Sequence, residues 1–223
     1  LVFQKGKWRF CHDGRAYTDG ICINDLLIND LNLMNPIMNP INNLRSYLYG
    51  FSVDIEAYFH SVLLDERDRG VFRFYWYEEE KMEKLVMEMF LAYIFGSSAS
   101  PSATAFCLAF HSDCERVAAV ISPRVREIMR EYFYVDDTGA GDDTIEGCKE
   151  TCKELEKAMN MGGFRLAKWK YSHPELDPEW KGGEEKVWTE EERFTKILGI
   201  SWDLKEDTLG VAIDEEKFKE TAK

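Results

Sequence analysis

Short runs rich in aromatic and β-branched residues recur along the chain, and most of them end at turn-forming residues. Such runs favour β-strands, because branched and flat side chains fit a pleated, half-buried surface. The predicted strands are Trp8–His12, Gly20–Ile23, Phe51–Ile55, Val71–Tyr77, Lys84–Phe90, Tyr132–Asp137, Thr138–Gly141, Phe164–Leu166, Lys196–Trp202 and Leu209–Ile213. Charged turns at 78–83 and at 205–207 predict that the strands on either side of each turn form hairpins.

Helices are predicted where an apolar stripe recurs at helical spacing next to capping residues. Ser100 and Pro101 open a helix to about Val120, and Ser122-Pro123 opens another that ends near Arg130. A third runs from a cap at Asp143 or Thr144 to about Met161. Short helices are predicted at Leu44–Leu48 and Asp65–Arg69. The rest of 24–50 is predicted to be irregular, and the echo Met34-Asn35-Pro36, Met38-Asn39-Pro40 is interpreted as turn chemistry.

The order of these elements is strands with helices on one side, two βαβ-like steps and a terminal hairpin. This order predicts an α+β fold in which a mixed, mostly antiparallel sheet packs on helices. A chain of 223 residues with 45% hydrophobic residues can bury a real core, as one large domain or two small ones. The chain begins at Leu1 and ends in a charged run, so we expect it to be a piece of a longer protein.

No apolar stretch approaches the roughly 20 residues that a membrane helix needs, so no membrane partner is expected. The six cysteines are scattered, which is typical of buried thiols in a reducing compartment. The four histidines fit no zinc spacing, so a structural zinc is not expected.

The net charge of −13 is unfavourable for a nucleic-acid binder, but the charge is unevenly spread. Residues 177–192 hold seven acids against two lysines, a local net of −5, whereas residues 1–15 hold four bases against one acid, a local net of +3. Because phosphate responds to the local field, basic segments can still bind nucleic acid, with strong salt dependence.

Two acidic positions carry the candidate chemistry. Asp136 and Asp137 follow Tyr134-Val135 at the tip of a predicted hairpin, and Asp54 lies in the predicted strand Phe51–Ile55. Acids at the ends of neighbouring strands can hold two divalent ions, about 3.5–4 Å apart, that clamp both oxygens of a phosphoryl transfer. The alternative is an ordinary acidic turn, which is common for a lone Asp-Asp pair. Asp142-Asp143 is assigned to helix capping.

Six motifs in order resemble retroelement reverse transcriptases. They are Trp8 to Arg15 (the fingers motif), Asp54 to His60 (the first catalytic motif), Phe95 to Pro101 (the template and nucleotide loop), Tyr134 to Asp137 (the signature turn), Gly163 to Lys168, and Lys196 to Trp202 (the primer-grip hairpin). Ile23-Asn24-Asp25, Asp68-Arg69 and Asp207-Thr208-Leu209 are similar to the BEL/Pao retrotransposons. Phe95 departs from the Gln that many retroviral relatives have there.

The resemblance implies a right-hand polymerase fold. Residues 1–50 and 70–105 would belong to the fingers, and residues 51–69 and 106–213 to the palm. An acidic insertion is expected at 174–192, a primer-grip-like hairpin at 196–213, and the start of a connection to a missing thumb at 214–223.

It also implies that Asp54, Asp136, Asp137 and the Ile55 backbone hold two Mg²⁺ ions, with Mn²⁺ able to substitute. Lys5 and Arg9 would contact the triphosphate, Phe59 would crowd a ribose 2′-hydroxyl, and Gly96 would let backbone approach the nucleotide. Lys168 would act as a general acid or an electrostatic aid. The implied primer and template contacts are Ser100, Pro101, Tyr134, Leu198, Gly199 and Trp202.

Several of these have a plainer alternative. Phe59 and Trp202 could be core residues, Lys5 a solvated strand residue, Lys168 a surface lysine, and the loop from Gly96 to Pro101 a simple connection.

The implied function is an RNA-directed DNA polymerase that takes an RNA or DNA template, a nucleic-acid primer and dNTPs, acting in the cytoplasm within retroelement particles. The thumb, nuclease and integrase domains are expected elsewhere, and the oligomeric state is left open. Two alternatives remain: an inactive retroelement remnant that binds nucleic acid, and another palm-fold nucleotidyltransferase such as a nucleotidyl cyclase or an RNA-dependent RNA polymerase. A cyclase would carry a Gly-Gly turn before its acids, and an RNA polymerase a smaller or polar residue at Phe59.

Overall fold

The computed structural model describes residues 2–4, 7–9, 11–28, 31–78, 84–179, 189 and 193–211, with the backbone alone for residues 2, 4 and 7–9. The chain divides into two compact units. The first unit comprises Leu1–Met34 and Ala57–His111, and the second comprises Asn35–Glu56 and Ser112–Lys223. None of the described helices is both long and apolar enough to span a membrane.

The strands are β1 (Val2–Gln4), β2 (Lys7–Arg9), β3 (Tyr49–Ile55), β4 (Arg73–Tyr77), β5 (Leu85–Met89), β6 (Phe133–Tyr134), β7 (Asp137–Asp142), β8 (Leu166–Tyr171), β9 (Phe194–Ile197), β10 (Ile200–Asp203) and β11 (Thr208–Gly210). The α-helices are α1 (Ile23–Leu26), α2 (Met38–Arg45), α3 (Ser100–Asp113), α4 (Glu115–Ala118), α5 (Pro123–Glu131) and α6 (Ile145–Met161). Short 3₁₀ turns lie at Tyr58–Ser61, Arg69–Val71 and Pro174–Leu176.

The first unit contains two antiparallel hairpins, β1–β2 and β4–β5. Its hydrophobic cluster is built on Leu64, Phe72 and Ile94, with Phe90 and Tyr93 packed against it. The predicted strands at 71–77 and 84–90 are confirmed as β4 and β5, while the turn predicted at 78–83 lies almost wholly outside the described residues.

The second unit is built around a four-stranded antiparallel sheet in the order β6-β7-β3-β8. Because β7 and β8 both pair antiparallel with β3, they run in the same direction, with α6 between them in sequence. β6 also runs in the direction of β3, but β7 lies between them in the sheet, and the β4–β5 hairpin of the first unit lies between them in sequence together with α3, α4 and α5. The predicted α+β class and its mostly antiparallel pairing are confirmed, and β7, α6 and β8 form one βαβ-like step.

A second sheet of this unit has the order β11-β10-β9. Its core is Trp202 with Ile197 and Leu204, packed on Leu44 of α2. The hairpin predicted around 205–207 is confirmed as β10–β11. Its first arm, predicted as one strand over Lys196–Trp202, is wrong, because Leu198 (φ 49°) and Gly199 (φ 85°) form a left-handed turn that splits it into β9 and β10. The part of the predicted last strand beyond residue 211 lies outside the described residues.

Several local predictions are also wrong. Ile23 begins α1 instead of ending a strand, and only Ile21 pairs, in an isolated bridge with Thr18. The helix predicted at 44–48 lies at Met38–Arg45. The helix predicted at 65–69 is replaced by a turn and the 3₁₀ segment Arg69–Val71.

The helix that opens at Ser100 ends at Asp113, and α4 follows as a separate turn. By contrast, Ser122 caps α5 by accepting a hydrogen bond from Val125 N, and Thr144 caps α6 by accepting one from Gly147 N, as predicted from these local signals. Within the predicted acidic insertion at 174–192, Leu176 is buried, and most residues after 179 lie outside the described set.

Candidate active site

The pairing of β3 with β7 brings together acids that are more than eighty residues apart in sequence. Asp54 lies directly opposite Asp137 in the antiparallel register. One residue further on, Ile55 N donates a hydrogen bond of 2.8 Å to the Asp136 carbonyl. The backbone therefore holds Asp54 and the Asp136-Asp137 doublet at the same end of the sheet.

The doublet follows a strained turn. Val135 has a φ of 55°, in the left-handed region that β-branched residues rarely adopt. Such outliers persist where the surrounding structure imposes them, and they cluster at functional sites. The β6–β7 pairs, Phe133 with Thr138 and Tyr134 with Asp137, hold the turn from both sides.

Burial raises the pKa of the Asp136 carboxyl above its ordinary value, and the negative charge of Asp54 raises it further. The backbone hydrogen bond at Asp136 and the Lys168 ammonium act in the opposite direction. Crowded carboxylates of this kind favour a nearby cation.

Lys168 on β8 supplies one cation. Its Nζ donates a hydrogen bond of 2.8 Å to Asp54 Oδ2, with the Lys168 side chain 72% exposed and that of Asp54 18% exposed. The hydrogen bond to Asp54 is the main cause that raises the pKa of Lys168. Lys168 has a φ of 58°, and β3 shifts register against β8 between Ser52 and Asp54. Bulges of this type redirect side chains and are frequent beside active sites.

The donor chemistry of the three aspartates fits Mg²⁺, because this hard cation takes carboxylate and carbonyl oxygens. Asp54, Asp136 and Asp137 would hold it, with the Ile55 carbonyl from the backbone. In the side-chain positions described, however, no group of three or more His, Cys, Asp or Glu residues is arranged to hold a metal ion.

The nucleotide-site predictions outside this cluster fall in the first unit. Phe59 is 8% exposed and packs edge-on against Phe95, with ring centroids 4.9 Å apart. Its surroundings are therefore those of a core residue, which was the alternative for this position. Lys5 lies outside the described residues, and Arg9 is described only by its backbone in β2, where it pairs with Val2.

Gly96 must be glycine because of its own backbone conformation and a neighbouring part of the same chain. Its φ is 102°, and a Cβ at this position would lie 1.8 Å from the His12 carbonyl oxygen. Asn24 adds a side-chain hydrogen bond of 3.1 Å to the Gly96 carbonyl. The close backbone approach at Gly96 is thus to residue 12, and an approach to a nucleotide stays a prediction.

The predicted primer and template residues are spread over both units. In the first, Ser100 is fully buried and donates through Oγ to the Ile94 carbonyl at 2.8 Å, while Pro101 is half-buried. In the second, Tyr134 is half-buried beside the turn.

The remaining three lie in the second sheet of the second unit. Leu198 packs against its core, and Gly199 is exposed in the turn. Trp202 is fully buried and donates from Nε1 to Asp207 Oδ1 at 2.8 Å. This environment corresponds to the alternative of a core residue for Trp202.

Three asparagines that no motif indicated also contribute to this site. Asn35, Asn39 and Asn43 donate side-chain hydrogen bonds to backbone carbonyls on both arms of the acidic hairpin and on the residues that lead into it. The signal in the sequence is the four-residue spacing of these asparagines, which places Asn39 and Asn43 on one face of α2, whereas Asn35 precedes that helix.

No protein-family model matches the chain, and no curated protein matches it. Solved structures do. The foamy viral protease–reverse transcriptase dRH in complex with double-stranded DNA aligns with a TM-score of 0.59 at 16% identity, over 98% of this chain and 31% of that chain.

The foamy viral protease–reverse transcriptase in complex with an RNA/DNA hybrid aligns with a TM-score of 0.54 at 15% identity, over 85% of this chain and 20% of that one. A prototype foamy virus protease–reverse transcriptase mutant aligns with a TM-score of 0.54 at 12% identity, over 74% of this chain and 19% of that one. The chain thus spans about a third of the first of these proteins. At these identities the similarity concerns the fold, and this chain has a reverse-transcriptase-like polymerase fold.

Proposed function

We propose that the chain is the fingers–palm segment of a retroelement reverse transcriptase, most similar to the BEL/Pao group. It would add dNMPs to a primer 3′-hydroxyl on an RNA or DNA template, in the cytoplasm within retroelement particles. The observation that carries this proposal is the register that sets Asp54 opposite Asp137, within a reverse-transcriptase-like fold.

In this reaction the primer 3′-oxygen forms a bond to the α-phosphorus of the dNTP, and the bond from that phosphorus to the bridging oxygen of pyrophosphate breaks. Asp54, Asp136 and Asp137 would bind the Mg²⁺ ions and orient the triphosphate against the primer end. When bound, two Mg²⁺ ions would supply charge stabilisation at the attacking and leaving oxygens.

Lys168 would assist the same step. Its ammonium group lies 2.8 Å from Asp54 and is mostly exposed, so it can reach an anionic group brought to the acids. There it would donate a proton to the departing pyrophosphate or offset its charge. Phe59, through its ring, would disfavour ribonucleotides.

A single-nucleotide primer-extension assay tests the proposal, with the protein in excess over a primed RNA template and with Mg²⁺ and dNTPs. Wild type should extend the primer, and Asp54→Asn and Asp136→Asn should each lower the rate at least about 10²-fold, a loss comparable to that from removing a central electrostatic group of an active site. Asp143→Asn is the matched control, because Asp143 is an exposed acid just beyond β7.

Other outcomes select the alternatives. Salt-dependent binding of the primed template without any incorporation would favour the inactive remnant. Equal use of ribonucleotides and deoxynucleotides would favour another palm-fold nucleotidyltransferase.

A further inference from the structure

Three asparagines spaced by four residues, one just before α2 and two on it, donate hydrogen bonds to the end of α5 and to the acidic hairpin. Asn35 Nδ2 donates to the Arg130 carbonyl at 2.8 Å and to the Phe133 carbonyl at 3.0 Å. Asn39 Nδ2 donates to the Glu131 carbonyl at 3.0 Å. Asn43 Nδ2 donates to the Gly139 carbonyl at 3.1 Å. We call Asn35, Asn39 and Asn43 the asparagine ladder.

The acceptors of the ladder lie on both sides of the Asp136-Asp137 turn. Arg130 and Glu131 end α5, Phe133 begins β6, and Gly139 follows the doublet on β7. The ladder therefore bonds to the segment that enters the turn and to the strand that leaves it. Backbone carbonyls near a helix end need partners, and here side-chain amides provide them.

Close packing confirms that α2 lies directly on β7. A Cβ at Gly139 would lie 2.7 Å from the Pro40 carbonyl oxygen and 3.1 Å from Leu44 Cβ. Asn43 is 4% exposed, and its Oδ1 accepts a hydrogen bond of 2.7 Å from Arg124 of α5. The amide orientation of Asn43 is thereby set, since its oxygen faces a guanidinium and its nitrogen faces a carbonyl.

The chain leaves α2 after Arg45 and enters β3, the strand that carries Asp54. Only a few residues thus separate α2 from β3, which carries Asp54. The ladder links the same helix to the hairpin that carries Asp136 and Asp137. We propose that the asparagine ladder is a positioning device that sets the Asp136-Asp137 turn against Asp54. This inference rests on the proposed polymerase function and names positioning residues that the motif resemblance does not include.

The primary test compares Asn39→Asp with Asn42→Asp. Both changes place a carboxylate on α2, but Asn39 loses its donor to the Glu131 carbonyl, whereas the Asn42 side chain is exposed. With Asn39→Asp, the single-turnover rate of nucleotide addition should fall about 10–100-fold, because small misplacements of catalytic groups have effects of this size. The dNTP concentration at half-maximal rate should change less than about threefold, and Asn42→Asp should match wild type.

Two further variants separate positioning from folding. Asn39→Gln keeps an amide donor and should recover much of the rate, and circular dichroism should find every variant folded at the assay temperature. Equal rates for Asn39→Asp and Asn42→Asp would overturn the inference. So would a rate loss in Asn39→Asp that merely follows loss of folded protein.

Amide hydrogen exchange tests the ladder independently of activity. In Asn39→Asp the amides of the β6–β7 hairpin should exchange at least about tenfold faster than in Asn42→Asp, since local opening is set by local contacts. If wild type adds no nucleotide, the proposed function fails while this comparison still decides whether the ladder holds the hairpin. Unchanged exchange would refute the ladder even in an active enzyme.

Discussion

Lys168 Nζ and Asp54 Oδ2 form an ion pair of 2.8 Å across two strands of the same sheet, β8 and β3. The contact joins residues 114 positions apart in the chain, so only the tertiary fold creates it. It places a largely exposed positive charge beside an acid that the fold sets opposite Asp137.

Replacing Lys168 with glutamine should slow nucleotide addition without unfolding the protein. We expect a rate loss of about tenfold or more, because proton donation or charge compensation at the leaving group is lost. The free energy of unfolding should change by less than about 1 kcal/mol, since the lysine side chain is 72% exposed and exposed ion pairs contribute little. Single-turnover extension and urea denaturation measure the two effects.

Lys170→Gln is the control for Lys168→Gln, because it removes the same charge from the same strand. It should leave the rate within about twofold of wild type, which corresponds to less than about 0.5 kcal/mol. Equal losses in the two variants would mean that Lys168 acts only through the general field of the surface.

Gly96→Ala should destabilise the first unit. The added Cβ would meet the His12 carbonyl, and the φ of 102° is unfavourable for any residue with a side chain. We expect a loss of about 1–3 kcal/mol, the usual range for overpacking. Thermal melting followed by circular dichroism measures it.

Gly70→Ala is the matched control in the same unit, because nothing lies within 4 Å of its Cβ position. It should change stability by no more than about 0.5 kcal/mol. If Gly96→Ala instead abolished nucleotide binding at unchanged stability, the approach to the nucleotide would be the main reason for this glycine.

Local signals explain why some elements could be predicted from sequence. Ser122-Pro123 and Thr144 mark the starts of α5 and α6 because a cap depends on a few neighbouring residues. The start of α2 at Met38 could not be found this way. Its segment is rich in Asn and contains Pro40, which are poor helix formers, and its asparagine side chains donate hydrogen bonds to α5 and β7.

In the candidate site, too, local features could be predicted from sequence and long-range contacts could not. The motif around Asp136 predicted the hairpin, and the resemblance paired it with Asp54, but the register that sets Asp54 opposite Asp137 depends on long-range strand pairing. The Trp202 side chain is fully buried and donates a hydrogen bond to Asp207, so it has a structural role within the chain, and the primer contact implied by the motif stays a prediction.

Trp202→Ala should be among the most destabilising single changes in the second unit. The side chain is fully buried and packs with Leu44, Ile197 and Leu204. Truncating a buried aromatic costs about 3–5 kcal/mol through lost burial and the cavity left behind. Urea denaturation followed by circular dichroism should detect this shift.

Trp76→Ala provides the comparison for Trp202→Ala, because Trp76 is 50% exposed on β4. Its cost should be about 1 kcal/mol, the centre of the usual distribution for point mutants. A cost for Trp202→Ala as small as that for Trp76→Ala would show that the three-stranded sheet does not depend on this core.

The ion pair between Arg193 and Asp203 should make part of the stability depend on pH. Arg193 Nε donates to Asp203 Oδ1 at 2.9 Å, and this contact is the main cause that lowers the pKa of Asp203 to about 2. A carboxyl whose pKa is lower in the folded protein contributes stability above its unfolded pKa of about 3.9 and loses it as the pH falls to the folded value.

The Asp203→Asn variant should therefore be less stable than wild type at pH 6, and the difference should shrink between about pH 4 and pH 2. Urea midpoints at a series of pH values measure this difference. Asp143→Asn removes an exposed acid and corrects for the loss of one negative charge from a chain of net charge −13. A difference between Asp203→Asn and wild type that stays constant from pH 6 to pH 2 would rule out the ion pair as its source, because protonation of Asp203 must weaken the attraction to Arg193.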